Sequence, residues 1–264
     1  MSDLTLNDGR TMPQLGLGTY KLPDPQAPVA VRRALDLGYR LVDTAAIYGN
    51  ERGVGEGVRG EQAFVTTKLW NDRQGDPAAA LDESLALLGV ETVDLYLIHW
   101  PSPGQGLYVD AWKALVDLRA AGKTRSIGVS NFLPEHLDAI IDATGVTPAV
   151  NQIELHPRHQ RRAERAYHEA HGIVTQSWSP LGQGGDLLRD PAIGAVADKH
   201  GRSAAQVVLA WHLAHGLSVI PKAADPEHLS DNLAAVDVRL DAEDMAAIDA
   251  LDREERMGPD PREM

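Results

Sequence analysis

The 264-residue sequence predicts an α/β fold in which eight parallel strands alternate with helices and close into a single-domain (β/α)8 barrel, the TIM barrel. Three observations predict this fold: eight short apolar runs, helical patterns between them that repeatedly stop at a glycine, and no Pro/Gly/Ser-rich linker. Strands that alternate with helices pair in parallel through right-handed crossovers. Eight such units in roughly 240 residues fit a closed barrel better than an open, doubly wound sheet, which is the alternative.

The first half of the chain supplies four strand–helix units. Its apolar runs contain β-branched residues, as expected for strands buried on both faces, and Pro77 and Gly89 bracket one of its helices. The strands are predicted at residues 15–22, 40–44, 63–70 and 93–100, and the helices at 29–37, 50–58, 77–88 and 110–121.

The second half repeats this alternation and adds helices. Its strands are predicted at residues 126–131, 150–155, 173–178 and 218–222, and its helices at 134–143, 161–171, 191–199, 203–215, 226–235 and 241–251. Residues 257–264 are too polar and proline-rich for a helix, so this C-terminal tail is predicted to be mobile or draped over the barrel. We expect one domain that spans residues 1–264.

Composition and charge exclude several classes of function. The chain has 25 Lys and Arg residues against 38 Asp and Glu, a net charge of −13, which disfavours a nucleic-acid or anionic-membrane binder but leaves room for a local basic pocket. It has no Cys, which removes disulfides, thiolate nucleophiles and Cys-ligated metals. No apolar run reaches membrane-spanning length and no signal peptide follows Met1, so a cytoplasmic location is predicted.

Functional side chains end nearly every predicted strand. In a (β/α)8 barrel these ends form the face that carries the active site. The strand-end residues are Tyr20 or Lys21, Asp43, Lys68, His99, Ser130 with Asn131, Gln152 or Glu154, Trp178 with Ser179, and Lys222. Strand ends meet solvent, so some polar residues are expected there. Asp, Lys and His at the ends of three neighbouring strands are more than this explains.

Asp43 and Lys68 close apolar strands, so both charges should be partly desolvated and tolerable only as a pair. Tyr48 lies five residues past Asp43, and an adjacent Lys would lower the pKa of its phenol toward the range useful to a general acid. His99 would then hydrogen-bond the reacting oxygen. The alternative is a purely structural Asp43–Lys68 ion pair.

Eight short motifs, in order along the chain, resemble those of the aldo-keto reductase superfamily. They lie at residues 16–19, 42–51, 65–68, 97–101, 128–132, 151–152, 178–182 and 220–222. The resemblance covers essentially the whole chain and is strongest to the bacterial branch that contains the 2,5-diketo-gluconic acid reductases. It implies reduction of an aldehyde or ketone by hydride transfer from a nicotinamide cofactor, without a metal. In that scheme Tyr48 donates the proton, Lys68 lowers its pKa, Asp43 holds Lys68, and His99 orients the carbonyl.

The resemblance also implies a cofactor site. Ser130, Asn131 and Gln152 would bind the carboxamide, Trp178 would stack on the nicotinamide ring, and Lys222 would bind phosphate beside a helix N-terminus. The other residues assigned to this site are Thr19, Tyr20, Asp43, Ser179, Leu181, Gly182, His228, Asp231 and Asn232.

The residues expected to bind the 2′-phosphate of NADPH depart from the family pattern. Ala223 stands where a Ser is usual and His228 where an Arg is usual, and a His grips phosphate less firmly than a bidentate Arg. NADPH is the expected cofactor, with NADH tolerated.

The substrate pocket is predicted to have aromatic walls. Tyr20, Trp70 and Trp100 follow or end strands and would line it together with Tyr48 and His99. Tyr108 and the short loop 101–107 would form its rim. The expected partner is a small-molecule carbonyl compound bound by a monomer.

Other conspicuous residues are given structural interpretations. Residues 55–60 match G-x-G-x-x-G but do not directly follow a strand, which disfavours a dinucleotide-binding loop. Trp112 and Trp211 are predicted to pack helices. A solvated helix face is predicted for Arg161, Arg162 and Arg165, and a loop without chemistry for His156 and His159.

Two competing functions remain open at this point. Lys68 could be the Schiff-base nucleophile of an aldolase, although that leaves Asn131, Gln152 and Trp178 without a role. Alternatively, the chain could bind the cofactor as a sensing subunit without turnover, although four intact catalytic residues argue against this.

Overall fold

Eight parallel strands form the wall of a barrel in the computed structural model, which describes residues 2–264. They pair in chain order: β3 (Leu17–Gly18), β4 (Leu41–Asp43), β5 (Phe64–Leu69), β6 (Val93–Ile98), β7 (Thr124–Ser130), β8 (Val150–Glu154), β9 (Val174–Trp178) and β10 (Ser218–Val219). Parallel bridges of Leu15 to Val219 and of Gly18 to Lys222 join the first strand to the last. The predicted (β/α)8 barrel is confirmed.

Helices follow the strands and cover the outside of the barrel. They are α1 (Ala27–Leu37), α2 (Glu51–Val58), α3 (Pro77–Leu88), α4 (Tyr108–Ala120), α5 (Pro134–Thr144), α6 (Arg162–Ala170), α7 (Pro191–His200), α8 (Ala204–Ala214), α9 (Pro226–Leu233) and α10 (Ala242–Asp249). Local sequence accounts for many of the boundaries. For α3, the Asp76 carboxylate accepts from the amide of Ala79, Pro77 takes the first position, and Gly89 ends the helix in the left-handed conformation.

An N-terminal hairpin precedes the barrel and was not predicted. Strands β1 (Asp3–Thr5) and β2 (Thr11–Pro13) pair antiparallel, and Met12 is fully buried. The turn between them carries Asp8, whose carboxylate accepts from Ser126 Oγ at 2.7 Å near the start of β7. The hairpin therefore covers the amino-terminal end of the strands, opposite the face expected to carry the site.

The first and last barrel strands are shorter than predicted, two residues each instead of eight and five. They meet at the seam where the barrel closes. There the amide of Gly18 donates to the carbonyl of Pro221 at 3.1 Å, but Pro221 has no N–H to return. The regular ladder ends at this point, and the seam continues as isolated bridges.

The structural interpretations of Trp112, Trp211 and the 55–60 motif are confirmed. Both tryptophans are fully buried, and their indole N–H groups donate to Thr144 Oγ1 and Asp249 Oδ1. Gly55 lies in α2, where a Cβ would come within 2.1 Å of the carbonyl oxygen of Leu88 on α3. This glycine therefore allows two helices to approach closely. Within residues 2–264, no helix has the length and apolar character needed to cross a membrane.

Candidate active site

Asp43, Tyr48, Lys68 and His99 meet at the carboxyl ends of three adjacent strands. Asp43 ends β4, Lys68 is the penultimate residue of β5, and His99 directly follows β6. Tyr48 lies in a short 3-10 turn, Ala46–Tyr48, in the loop after β4. The parallel order of β4, β5 and β6 brings these distant residues together, as the sequence predicted.

Lys68 is the centre of this cluster. Its ammonium donates to Asp43 Oδ1 at 2.6 Å and to the carbonyl of Thr44 at 2.8 Å, and lies 3.5 Å from the Tyr48 hydroxyl. The Lys68 side chain is fully buried and that of Asp43 is 2% exposed. Burial lowers the pKa of Lys68, and the Asp43 carboxylate opposes this shift. An ammonium with three partners and no exposed surface is badly placed to attack a carbonyl, which disfavours the Schiff-base alternative.

The pKa of Tyr48 differs from the sequence-based expectation. Burial and the nearby Asp43 carboxylate raise the pKa of the phenol well above its ordinary value, whereas a lowered pKa was predicted from the adjacent lysine. The physical reason is that the phenol is buried, and the Lys68 ammonium, which is paired with Asp43, does not offset the effect of burial. The phenol therefore keeps its proton across the neutral range.

His99 lies beside Tyr48 as a neutral ring. Its ring is edge-on to Tyr48 at 5.7 Å and to Trp70 at 5.1 Å between centroids. Burial and the Lys68 ammonium lower the pKa of His99 well below its ordinary value. Within residues 2–264, His99 Nδ1 has no hydrogen-bond partner. A neutral imidazole can orient a carbonyl oxygen without competing with Tyr48 as the acid.

The lowered pKa of His99 predicts that kcat/KM does not fall at the pH where an ordinary histidine gains its proton. Because the folded-state pKa of His99 is depressed, the ring stays neutral as the pH falls through about 6.5, the usual histidine value. We therefore expect kcat/KM for an aldehyde to show no loss with a midpoint near that value. Steady-state rates between about pH 5 and 8, checked against fold retention by circular dichroism, would measure this. A titration centred near 6.5 that disappears in His99→Gln would contradict it.

Two buried residues that the sequence left without a role hold the Tyr48 loop. Asn50 Oδ1 accepts from Thr44 Oγ1 at 2.7 Å, and its amide donates to the carbonyls of Thr19 and Leu22, both at 2.9 Å. Glu51 accepts from Thr67 Oγ1 at 2.6 Å, beside Lys68 in sequence. The loop is thus tied to the segment that follows β3 and to β5, the strand that carries Lys68. The signal was present in the motif at residues 42–51, but a motif does not reveal which contacts its residues make.

The proposed carboxamide residues connect the cluster to Trp178. Gln152 donates to Asp43 Oδ2 at 2.7 Å, and Asn131 donates to the carbonyl of His99 and to Ser130 Oγ, both at 3.0 Å. Trp178 Nε1 donates to Asn131 Oδ1 at 2.8 Å. Asn131 itself has φ 64°, a left-handed backbone that is unusual outside glycine and concentrates at functional sites.

The residues assigned to the phosphate end lie along one rim of the same face. Lys222 is exposed next to the seam, and His228 is exposed on α9. Ala223 is buried, and Asp225 and Glu227 place carboxylates at the start of α9.

The remaining residues assigned to the cofactor lie on several elements around that rim. Asp231 accepts from Ser203 Oγ at 2.6 Å, and Asn232 is buried. Thr19 is buried and donates to the carbonyl of Asp43 at 2.9 Å. The turn after β9, in which Ser179 has φ 50°, contains Ser179, Leu181 and Gly182.

Aromatic rings surround the mouth of the barrel. Tyr20 is 54% exposed and its ring lies 5.1 Å from that of Tyr48, while Trp100 and Trp178 meet at 6.5 Å. Tyr108 is different, because it begins α4 and packs edge-on against Phe132 and His136. Its half-buried ring thus contributes to the packing between α4 and the start of α5, and its place at the pocket rim stays a prediction.

The loop after β8 and the C-terminal tail also differ from expectation. Arg161 was predicted on a solvated face, but its side chain is only 6% exposed and pairs with Glu164 at 2.7 Å. Arg162, on the same helix, is exposed as predicted. His156 is buried and lies 3.3 Å from Glu154 Oε1. The tail is draped over this region: the amides of Met257 and Gly258 donate to Glu154 at 2.7 and 2.8 Å.

A cavity of about 570 Å³ lies at the opposite end of the barrel. Its lining includes Arg59, Phe64, Asp94 and Arg125, around the amino-terminal ends of β5 and β6. Despite its volume, it contains none of the Asp–Tyr–Lys–His cluster. The chemistry places the candidate site at the carboxyl ends of the strands instead.

Comparison with known proteins agrees with this geometry. The Aldo/keto reductase family matches residues 13–253. A protein of Salmonella typhimurium named methylglyoxal reductase DkgA is 48% identical over 264 residues, which cover 98% of this chain and 96% of that protein. An aldo-keto reductase of Mycobacterium sp. (strain KMS) is 49% identical over 266 residues, again covering 98% and 96%. A mutant of Gox0644 crystallised with NADPH superposes with a TM-score of 0.97 at 52% identity, covering 99% of this chain and 97% of that one.

Proposed function

The chain belongs to the aldo/keto reductase family, and from this premise we propose that it reduces aldehydes and ketones to alcohols with NADPH, using Tyr48 as the proton donor. The observation that carries the proposal is the position of the Lys68 ammonium, bonded to Asp43 and 3.5 Å from the Tyr48 hydroxyl. This arrangement puts a proton beside a fixed positive charge at the barrel mouth. It supports a step in which negative charge develops on an oxygen.

The residues present fit a nicotinamide dinucleotide. The polar cluster of Ser130, Asn131 and Gln152 lies beside the part-exposed indole of Trp178, and the exposed Lys222 lies farther along the same face. Amide groups suit a carboxamide, an indole suits a flat ring, and an ammonium suits a phosphate. When bound, NADPH supplies the hydride. The structure of a close relative with NADPH supports the same assignment.

The chain's own residues would then manage the proton and the carbonyl. His99, kept neutral by burial, would hydrogen-bond the carbonyl oxygen and turn it toward Tyr48. As that oxygen becomes negative, the Tyr48 hydroxyl would give it the proton. Lys68 would stabilise the resulting phenolate, and Asp43 would keep Lys68 charged in its buried position.

A small carbonyl compound is the proposed substrate class. The relatives named methylglyoxal reductase support small dicarbonyl compounds, and the exposed Tyr20, the half-buried Trp70 and the edge of the buried Trp100 would supply apolar walls around the mouth. The test is a panel of aldehydes, ketones and alcohols followed by NADPH absorbance. Consumption of NADPH with methylglyoxal or another aldehyde supports the proposal. Borohydride trapping of a substrate–Lys68 adduct, with no NADPH oxidation, would support the aldolase instead.

The proposed domain spans residues 1–264. The family match begins at residue 13, but the N-terminal hairpin and the tail both contact the barrel. The monomeric state and the cytoplasmic location remain predictions. Size-exclusion chromatography with light scattering would test the first of these.

The 2′-phosphate region predicts a weakened preference for NADPH over NADH. The buried methyl of Ala223 offers no hydroxyl, His228 offers no guanidinium fork, and the carboxylates of Asp225 and Glu227 lie close by. We expect the ratio of kcat/KM for the two cofactors to stay below about a thousandfold, equivalent to about 4 kcal/mol.

The double variant A223S/H228R tests the cause of this preference. It should raise the ratio at least about tenfold, as expected from added charge-assisted hydrogen bonds. Arg202→Lys, an exposed change elsewhere, serves as the control. A wild-type ratio well above a thousandfold, or no response to the double variant, would contradict the prediction.

A further inference from the structure

The C-terminal tail is attached to the barrel through a buried carboxylate. Glu154, the last residue of β8, is 4% exposed. Its Oε1 accepts from the amide of Met257 at 2.7 Å, and its Oε2 accepts from the amide of Gly258 at 2.8 Å. Both carboxylate oxygens thus bind consecutive backbone N–H groups. Such charge-assisted bonds are among the strongest that a side chain makes.

The same carboxylate is supported by a histidine. His156 Nε2 lies 3.3 Å from Glu154 Oε1, and both side chains are buried. Burial opposes ionisation of Glu154, but the hydrogen bonds from His156 and from the two tail amides hold its pKa below the ordinary value. The carboxylate is therefore charged, and able to accept both bonds, throughout the neutral range.

Gly258 packs the tail directly on Trp178. A Cβ at this position would lie 2.5 Å from the ring carbon Cη2 of Trp178 and 3.0 Å from Glu154 Oε2. Only a residue without a side chain allows the backbone to bind the carboxylate and touch the indole together. On its other side, Trp178 Nε1 donates to Asn131, whose amide donates to the carbonyl of His99. The tail is thus one end of a chain of contacts that reaches the catalytic cluster.

We propose that Glu154 is a positioning residue: by binding the backbone of Met257 and Gly258 it seats the C-terminal tail on Trp178 and fixes the orientation of that indole. This inference rests on the proposed function, because the significance of the indole is that the nicotinamide ring would stack on it. The role does not require Glu154 to touch substrate or cofactor. It acts through the tail, and the two groups it binds are backbone amides.

The proposal is tested with E154Q and G258A in the full-length protein. A Gln keeps one oxygen but turns an NH2 group toward one of the tail amides, and the added methyl of Ala collides with Trp178. Both variants should lose hydrogen-exchange protection at the Met257 and Gly258 amides. Both should also raise the Kd for NADPH, measured by fluorescence quenching, by about tenfold or more. The matched control is R262A in the same tail, which removes only exposed ion pairs, with Glu135 and with Asp260, and should stay within twofold.

A truncation separates positioning from general support of the fold. Removing residues 257–264 leaves Glu154 with no tail to hold, so E154Q should then change the Kd by less than twofold. An equal cost of E154Q with and without the tail would overturn the proposal, as would an unchanged Kd in full-length E154Q. If E154Q does not fold, full-length G258A takes its place: a raised Kd for NADPH supports the proposal, and an unchanged Kd overturns it. If the wild-type protein neither binds NADPH nor reduces carbonyls, the proposed function fails, and exchange at the two amides still reports whether Glu154 holds the tail.

Discussion

Tyr48→Phe is expected to lower kcat for aldehyde reduction by about 10²- to 10⁴-fold, the usual contribution of a positioned general acid. The substitution removes only the hydroxyl that lies 3.5 Å from Lys68 Nζ. The ring contacts with Tyr20 and His99 remain, so the mouth keeps its shape. NADPH affinity and the melting temperature should therefore change little. Single-turnover kinetics, together with fluorescence titration of NADPH, measure the two effects separately.

The matched control is Tyr167→Phe. That phenol lies on α6, where it bonds Asp138 on a neighbouring helix, and has no contact with the cluster. Its loss should leave kcat unchanged. Near-native kcat in Tyr48→Phe would show that another group donates the proton. A loss of NADPH binding as large as the loss of kcat would show that Tyr48 acts mainly in the cofactor site.

The location of the cluster could be predicted from the sequence because it depends on strand order. In a barrel of parallel strands, every strand end reaches the same face, so Asp43, Lys68 and His99 at the ends of consecutive strands must be neighbours. Local signals were also sufficient for helix boundaries such as Pro77 and Gly89. The detailed distances then follow from side-chain packing.

Contacts between distant segments could not be predicted in this way. The hairpin β1–β2 consists of two three-residue strands, which are too short to show an alternating pattern. The docked tail depends on Glu154, 103 residues before Met257 in the chain, and no local pattern signals such a bond. The prediction for Arg161 was wrong for the same reason, because its buried side chain lines a small pocket together with Pro259 and Pro261 of the distant tail.

The raised pKa of the Tyr48 phenol could not be predicted from the sequence either. The presence of Lys68 indicates a stabilised phenolate, but it does not reveal that the ammonium is fully paired with Asp43 or that the phenol is buried. Burial raises the pKa of the phenol, and the Asp43 carboxylate raises it further. A general acid with a raised pKa remains protonated until it meets a stronger base, which the oxygen of a carbonyl becomes as it receives hydride.

Lys68→Met is expected to abolish turnover and also to destabilise the fold by about 3–5 kcal/mol, the usual cost of removing one partner of a buried ion pair. Asp43 would remain 2% exposed with its closest cation gone. Its pKa is already raised by burial, and Lys68 is the main opposing influence, so the variant should raise the pKa further. Urea unfolding of wild type and variant measures the free-energy difference.

The loss of unfolding free energy in Lys68→Met, relative to wild type, is expected to grow as the pH rises. In Lys68→Met the native carboxyl retains its proton at pH values where the unfolded chain, with an ordinary Asp pKa near 4, has released it. The native state then binds more protons than the unfolded state, so the variant's stability falls as the pH rises above about 4. The deficit relative to wild type should be smaller at about pH 5 than at about pH 8. Lys113→Met, which breaks an exposed pair with Asp110, should show almost no deficit at either pH.

The double variant Asp43→Asn/Lys68→Met separates stability from catalysis. It removes both charges, so the penalty of an unpaired buried carboxylate disappears, and the oxygen of the introduced amide can still accept a bond from Gln152. We expect the free energy of unfolding to recover most of what Lys68→Met loses, and to become independent of pH around the Asp pKa. Turnover should stay absent, because no ammonium would stabilise the Tyr48 phenolate. A double variant that regains aldehyde reduction would show that the charge of Lys68 supports the fold and not the proton transfer.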